Sequence, residues 1–113
     1  MEINDYQNAI REFTKYPKEI GVFYNALDMQ SSLGQLTSKI DALLISENSE
    51  VDRQEALKFG ISLGDLLFAL CNFAADVGLT MDEVIALNLK KISMIRNKET
   101  KEKNNKPIKY KKE

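Results

Sequence analysis

The chain has 113 residues, 29% of them charged, and a formal net charge of −1, which leaves room for one modest core and not for two. It has no histidine and one cysteine, Cys71, which excludes Ser–His and Cys–His nucleophilic chemistry, the usual zinc sites and any disulfide within the chain. Charge is uneven: residues 98–113 carry seven lysines and three glutamates, net +4, and the other 97 residues carry nine basic and fourteen acidic groups, net −5, an acidic body with a basic tail.

The first helix is expected over about 2–16. Ile3, Tyr6, Ile10 and Phe13 recur at helical spacing, Asn4 or Asp5 favours the start, and Pro17 stops it by forcing the preceding residue out of helical geometry. A second helix spans about 19–45, with a stripe of Val22, Phe23, Ala26, Leu27, Leu33, Leu36, Ile40, Leu43 and Leu44. Gly34 lies inside it at a cost of about 1 kcal/mol against alanine, so the close approach of another helix or of a ligand is expected there. After a polar loop at 46–51, Ser49 with Asp52 resembles a capping box. The third helix is expected over about 50–77, with Gly60 and Gly64 on one face, where a neighbouring helix would come close, and Gly78 as a left-handed cap. Thr80-Met81-Asp82-Glu83 is a second capping box, opening a fourth helix over about 81–98. Residues 98–113, with Asn104-Asn105-Lys106-Pro107, read as a flexible tail.

No strand-type alternation appears, so the fold class is an all-α bundle of four helices, a domain over 1–97 followed by the tail. Tyr6, Phe13, Tyr16, Phe23, Phe59, Phe68 and Phe73 are expected as core, and Cys71 as a buried, inert thiol. The third helix is apolar over more than half its circumference, so part of it is expected to meet a second subunit. The N-terminus lacks a signal-peptide core. The longest apolar run is interrupted by Asp65 and falls short of the roughly 18 residues a membrane helix needs. A soluble, cytoplasmic protein without membrane contact is expected. The tail glutamates and the acidic body argue against nucleic acid as a partner.

Within the third helix, Asp65, Phe68, Asn72 and Asp76 fall near one line. A carboxylate among Leu and Phe needs a partner, a bound cation or water. For Asp65 the plain reading is pairing with Lys39, Arg53 or Lys58, or capping by the Ser32 or Ser62 hydroxyls. Asp28 lies one helical turn before Ser32.

Several strings together resemble MazG-like nucleoside triphosphate pyrophosphohydrolases. They are Asn4-Asp5-Tyr6-Gln7, Tyr16-Pro17, Leu33-Gly34-Gln35-Leu36 with Lys39-Ile40, Gly64-Asp65-Leu66-Leu67-Phe68, Ala75-Asp76-Val77-Gly78-Leu79-Thr80-Met81-Asp82-Glu83-Val84 and Asn88-Leu89-Lys90-Lys91. The resemblance covers about residues 3–97. It implies an all-α oligomer that hydrolyses nucleoside triphosphates to monophosphate and pyrophosphate, with Mg²⁺ held by a Glu-x-x-Glu on one helix and a Glu-x-x-Asp on the next. Two such pairs facing each other make an oxygen cage. Those positions fall on Ser32 and Gln35, and on Ser62 and Asp65. Only Asp65 matches as a carboxylate, so the charge available to a divalent ion falls from −4 to −1 and the attraction falls with it. The family's phosphate-contacting Asn and Lys fall on Asn88 and Lys91; Ile95 stands where a basic residue usually follows, with Arg96 shifted by one.

The leading expectation is a catalytically degenerate MazG-like protein that binds a nucleotide or a protein partner and needs no cofactor. Its binding set is Ser32, Gln35, Ser62, Asp65, Asn88 and Lys91, and it is expected as a homodimer, with a tetramer next. The first alternative is a working or weak Mg²⁺-dependent pyrophosphohydrolase whose site is rearranged around Asp65 with Asp28 and Asp76. The second is a structural or inhibitory interaction protein, of the compact Lys/Asn-rich kind that phage encode.

Overall fold

A computed structural model describes residues 1–46 and 50–105. Among these the chain is all-helical, with no strand and four α-helices: α1 (Ile3–Ile10), α2 (Gly21–Ile45), α3 (Arg53–Asp76) and α4 (Met81–Asn105). It falls into two compact units, residues 1–81 and 82–113.

The first helix is shorter than its apolar stripe suggests. α1 ends at Ile10 and passes into a 3-10 turn at Arg11–Phe13. Thr14 then leaves helical geometry, its hydroxyl donating to the Arg11 carbonyl at 2.9 Å, the local competition that makes threonine a helix stopper. Pro17 is extended and precedes a second 3-10 turn, Lys18–Ile20, that leads into α2.

α2 and α3 run antiparallel side by side. Early α2 meets late α3 where Asn25 donates to Asp76, and late α2 meets early α3 where Lys39 donates to Ser62. Asp52 is the N-cap of α3, its carboxylate accepting from the Glu55 N–H at 2.8 Å. Ser49, the cap expected from sequence, lies outside the described residues. α3 ends as expected: Gly78 has φ +84, the Gly78 N–H bonds to the Ala75 carbonyl and the Leu79 N–H to the Ala74 carbonyl, a full Schellman closure.

In the second unit, α4 runs on past the expected end near residue 98 to Asn105. Lys98, Glu99, Lys101, Glu102 and Lys103 are all good helix formers, and Glu99 and Lys103 stand at the i, i+4 spacing that supports a helix. Residues 106–113 of the expected tail lie outside the described residues.

The interior of the first unit is unusually polar. Its buried apolar residues are Ile10, Ala69, Cys71, Ala74 and Met81, beside buried Gln7, Asn25, Ser32, Ser62 and Asn72. Two aromatic residues expected in the core, Phe13 and Phe23, are exposed. Leu27, Leu33, Leu44, Ile61 and Leu63 each leave more than half of their surface open. Among the described residues no helix makes the close approach expected at Gly34, Gly60 and Gly64, since a Cβ at any of them meets nothing within 4 Å. Contrary to the expectation from its interrupted apolar run, α3 is long and apolar enough to cross a membrane by length and composition alone, with 22% of that stretch buried; its buried Ser62 and Asn72 are bonded to side chains of α2 and of the 3-10 turn after α1.

Candidate functional site

Two polar sites sit on α3, at opposite ends of the line drawn by Asp65, Phe68, Asn72 and Asp76. At the C-terminal end, Asp76 gathers donors from three segments. Arg11 Nη2 donates to Oδ1 at 2.8 Å, while the Tyr16 hydroxyl at 2.6 Å and Asn25 Nδ2 at 2.9 Å donate to Oδ2. Arg11 Nη1 also donates to the Tyr16 hydroxyl and to Asn72 Oδ1. Burial alone would raise the Asp76 pKa, but the hydrogen bonds from Tyr16 and Arg11, the Arg11 charge and the Asn25 amide outweigh it and hold the carboxyl below its ordinary value. Gly21 is required beside this knot, because a Cβ there would lie 2.5 Å from Asp76 Oδ2 and 2.8 Å from the Tyr16 ring. Tyr24 stacks on Tyr16 at 4.9 Å between ring centroids.

Gln7 makes a second tie. Its Nε2 donates to the Cys71 and Leu79 carbonyls at 3.2 and 3.0 Å, and its Oε1 accepts from the Met81 N–H at 3.0 Å. Arg11 and Gln7 therefore clamp the N-terminal segment onto the end of α3.

The other site is a pocket of about 180 Å³ between α2 and α3, lined by Asp28, Ser31, Ser32, Gln35, Asp65 and Phe68. Helical spacing builds it: Asp28, Ser32 and Gln35 share one face of α2, and Asp65 and Phe68 are three apart on α3. Two carboxylates, two hydroxyls, an amide and an aromatic ring meet there, with no cationic side chain among the lining residues. Asp65 makes no hydrogen bond or ion pair among the described residues. Of the partners expected for it, Lys39, Lys58 and Ser62 are engaged elsewhere, and neither Arg53 nor the Ser32 hydroxyl bonds to it. Lys39 donates to Ser62 Oγ at 2.6 Å, and Lys58 lies 3.8 Å from Glu55. The charge of Asp65 is felt by Tyr6, whose phenol is held above its ordinary pKa by burial first, then by Cys71 and Asp65.

Of the residues expected at the site, Ser32, Gln35 and Asp65 thus share a pocket, and Asp28 joins them. Ser62 is buried nearby in sequence but holds Lys39. Asp76, the third carboxylate of the rearranged site, belongs to the Arg11 knot. No three of His, Cys, Asp and Glu gather into a metal-holding group among the described residues. Asn88 and Lys91 lie exposed on α4, where Lys90, Lys91 and Lys98 flank an open surface of Leu87, Met94 and Ile95. Sequence reasoning missed Gln7, Arg11, Asn25 and Gly21. The available signal was the polar pair Gln7 and Arg11, four apart beside the apolar stripe of α1. Comparison with protein-family models, with curated proteins and with solved structures finds no match.

Proposed function

We propose that this chain is a non-hydrolysing, MazG-like helical protein that acts by binding a nucleotide or a protein partner at the α2–α3 pocket. One observation carries the reading. Asp28, Ser32, Gln35 and Asp65 line one pocket at the helix pair where the resemblance puts a four-carboxylate cage, with hydroxyl and amide groups at three of the four cage positions, Ser32, Gln35 and Ser62. Two carboxylates with neutral oxygens attract a divalent ion far less than four do, so the binding role needs no metal cofactor.

Half-exposed Leu27, Leu33, Leu44, Ile61 and Leu63 support self-association as a homodimer or a dimer of dimers. The cytoplasm is the compartment proposed for it. A weak Mg²⁺-dependent pyrophosphohydrolase is the second reading, favoured by Asp28 standing beside Asp65.

Thermal denaturation against a panel of nucleotides and against candidate partner proteins, with and without Mg²⁺, tests the binding role. Stabilisation that needs no metal, and that is lost in Gln35→Ala, supports it. Stabilisation only with Mg²⁺ favours the second reading.

A further inference from the structure

α2 and α3 carry apolar residues that neither the pocket nor the Asp76 knot uses. On α2 they recur at Val22, Ala26, Met29, Leu33, Leu36 and Ile40, and on α3 at Phe59, Leu63, Leu66, Leu70, Phe73 and the C-cap Val77. In both helices the steps alternate between four and three residues, the pattern of a coiled-coil seam. Neither seam contains a charged residue. Both are open: Val22, Leu33, Ile40, Leu63, Leu70 and Val77 are each 38–52% exposed.

The α2–α3 contact fixes which way the seams look. Asn25 and Lys39 mark the side of α2 that meets α3, and Ser62 and Asp76 the side of α3 that meets α2. At about 100° per residue, each seam lies a quarter turn from that contact line. In an antiparallel pair the two quarter turns bring both seams onto one face. By the same geometry the pocket residues Asp28, Gln35, Asp65 and Phe68 fall on the other side of the line. The helix pair thus has an apolar face and, behind it, a pocket face. Leu27 and Ile61, though open, lie off the apolar face.

Resting on the self-association proposed above, we infer that this apolar face is closed by a second copy of the chain, two α2–α3 pairs stacking face to face into one four-helix bundle with a pocket on each outer side. Two seams need two facing helices. A second α2–α3 pair supplies both through a two-fold axis, which sets each face against its own likeness. Area agrees. The side chains of the two seams leave on the order of 800 Å² open per copy, about what one partner of a stable interface buries. Charge agrees as well. Residues 1–81 carry six basic and twelve acidic groups, so two copies repel where charged faces meet and are spared that at seams without charge. An anionic lipid surface would instead ask for lysines and arginines along the rim.

The test uses the full chain. Analytical ultracentrifugation over a range of concentrations reads the mass. Isotope-filtered NMR on a mixture of labelled and unlabelled protein reads which methyl groups touch across copies. A dimer or a dimer of dimers is expected, with cross-copy contacts among Leu33, Ile40, Leu63 and Leu70. Leu33→Lys and Leu63→Lys each put a charge into a seam and are expected to weaken the dimer by about a hundredfold or more. Leu57→Lys is the control. Leu57 is as exposed as those two, at 52%, but lies on the pocket face, and its replacement is expected to leave the dimer unchanged. The cross-copy contacts are read in the parent chain, so the inference stands or falls even where a variant unfolds. A dimer with its contacts elsewhere, or one that Leu57→Lys breaks and Leu33→Lys spares, overturns the inference and leaves self-association standing. A monomer at every concentration, its seams covered within the chain or by another protein, overturns both.

Discussion

Replacing Asp76 with asparagine removes the acceptor on which Arg11, Tyr16 and Asn25 converge. Asparagine keeps one acceptor oxygen and turns an NH₂ toward donors at the other position. Either the 2.8 Å Arg11 link or the pair from Tyr16 and Asn25 at 2.6 and 2.9 Å is lost. Hydrogen bonds to a charged group contribute about 1.5–3 kcal/mol each. The Arg11 side chain is 36% exposed and that of Asp76 10%, so the freed guanidinium regains water and the Coulomb part is discounted. The expected loss is about 3–4 kcal/mol, a large share of the 5–15 kcal/mol typical of a domain. Urea unfolding followed by far-UV circular dichroism measures it, and a loss below about 1 kcal/mol would refute the clamp. The pH dependence has a definite sign. The folded Asp76 carboxyl titrates below its unfolded value, so its contribution is complete above the unfolded pKa of about 3.9. That contribution is lost as pH falls through the lower, folded value. Asp76→Asn therefore flattens the acid limb of the stability curve, and parent and variant converge at low pH.

Glycine substitutions separate a required glycine from permissive ones. Gly21→Ala places a methyl against Asp76 and Tyr16 and is expected to cost about 1–3 kcal/mol in the same unfolding assay, whereas Gly60→Ala, which meets open space in a helix, is expected to add about 0.5–1 kcal/mol. Gln7→Leu strands the Met81 N–H and two carbonyls; a loss of about 2–4 kcal/mol is expected, with faster hydrogen exchange at Met81. Ser32→Ala removes a hydroxyl with no hydrogen-bond partner among the described residues, so its unfolding free energy is expected to stay within about 1 kcal/mol of the parent or to rise.

Apolar periodicity with Pro17 and Gly78 was enough to read the all-helical class and the places of α2, α3 and α4. The break after Ile10 was not legible. The stripe of Ile3, Tyr6, Ile10 and Phe13 continues through it, and what ends α1 is Thr14 folding onto the Arg11 carbonyl. The C-terminal overrun of α4 was misread because Lys and Glu are common to solvated tails and to exposed helices. At the pocket, Ser32, Gln35 and Asp65 were named from the resemblance and share its lining, while Ser62, the fourth position of that set, is turned to Lys39. Asp76 was not. It lies on the same line of α3 as Asp65, but α1 and its turn cover that end, and Arg11, Tyr16 and Asn25 reach it across 65, 60 and 51 residues of sequence. Pairings over such spans are fixed by tertiary packing and leave little local trace.

The central claim is a binding pocket that does not hydrolyse. Its most direct measurement is pyrophosphate release from each nucleoside triphosphate with Mg²⁺, for the parent chain and for a variant carrying Ser32→Glu, Gln35→Glu and Ser62→Glu together. No release from the parent is predicted, with turnover appearing in the variant, which carries carboxylates at all four positions that the resemblance assigns to the cage. Mg²⁺-dependent release by the parent, abolished by Asp65→Asn, would contradict the account.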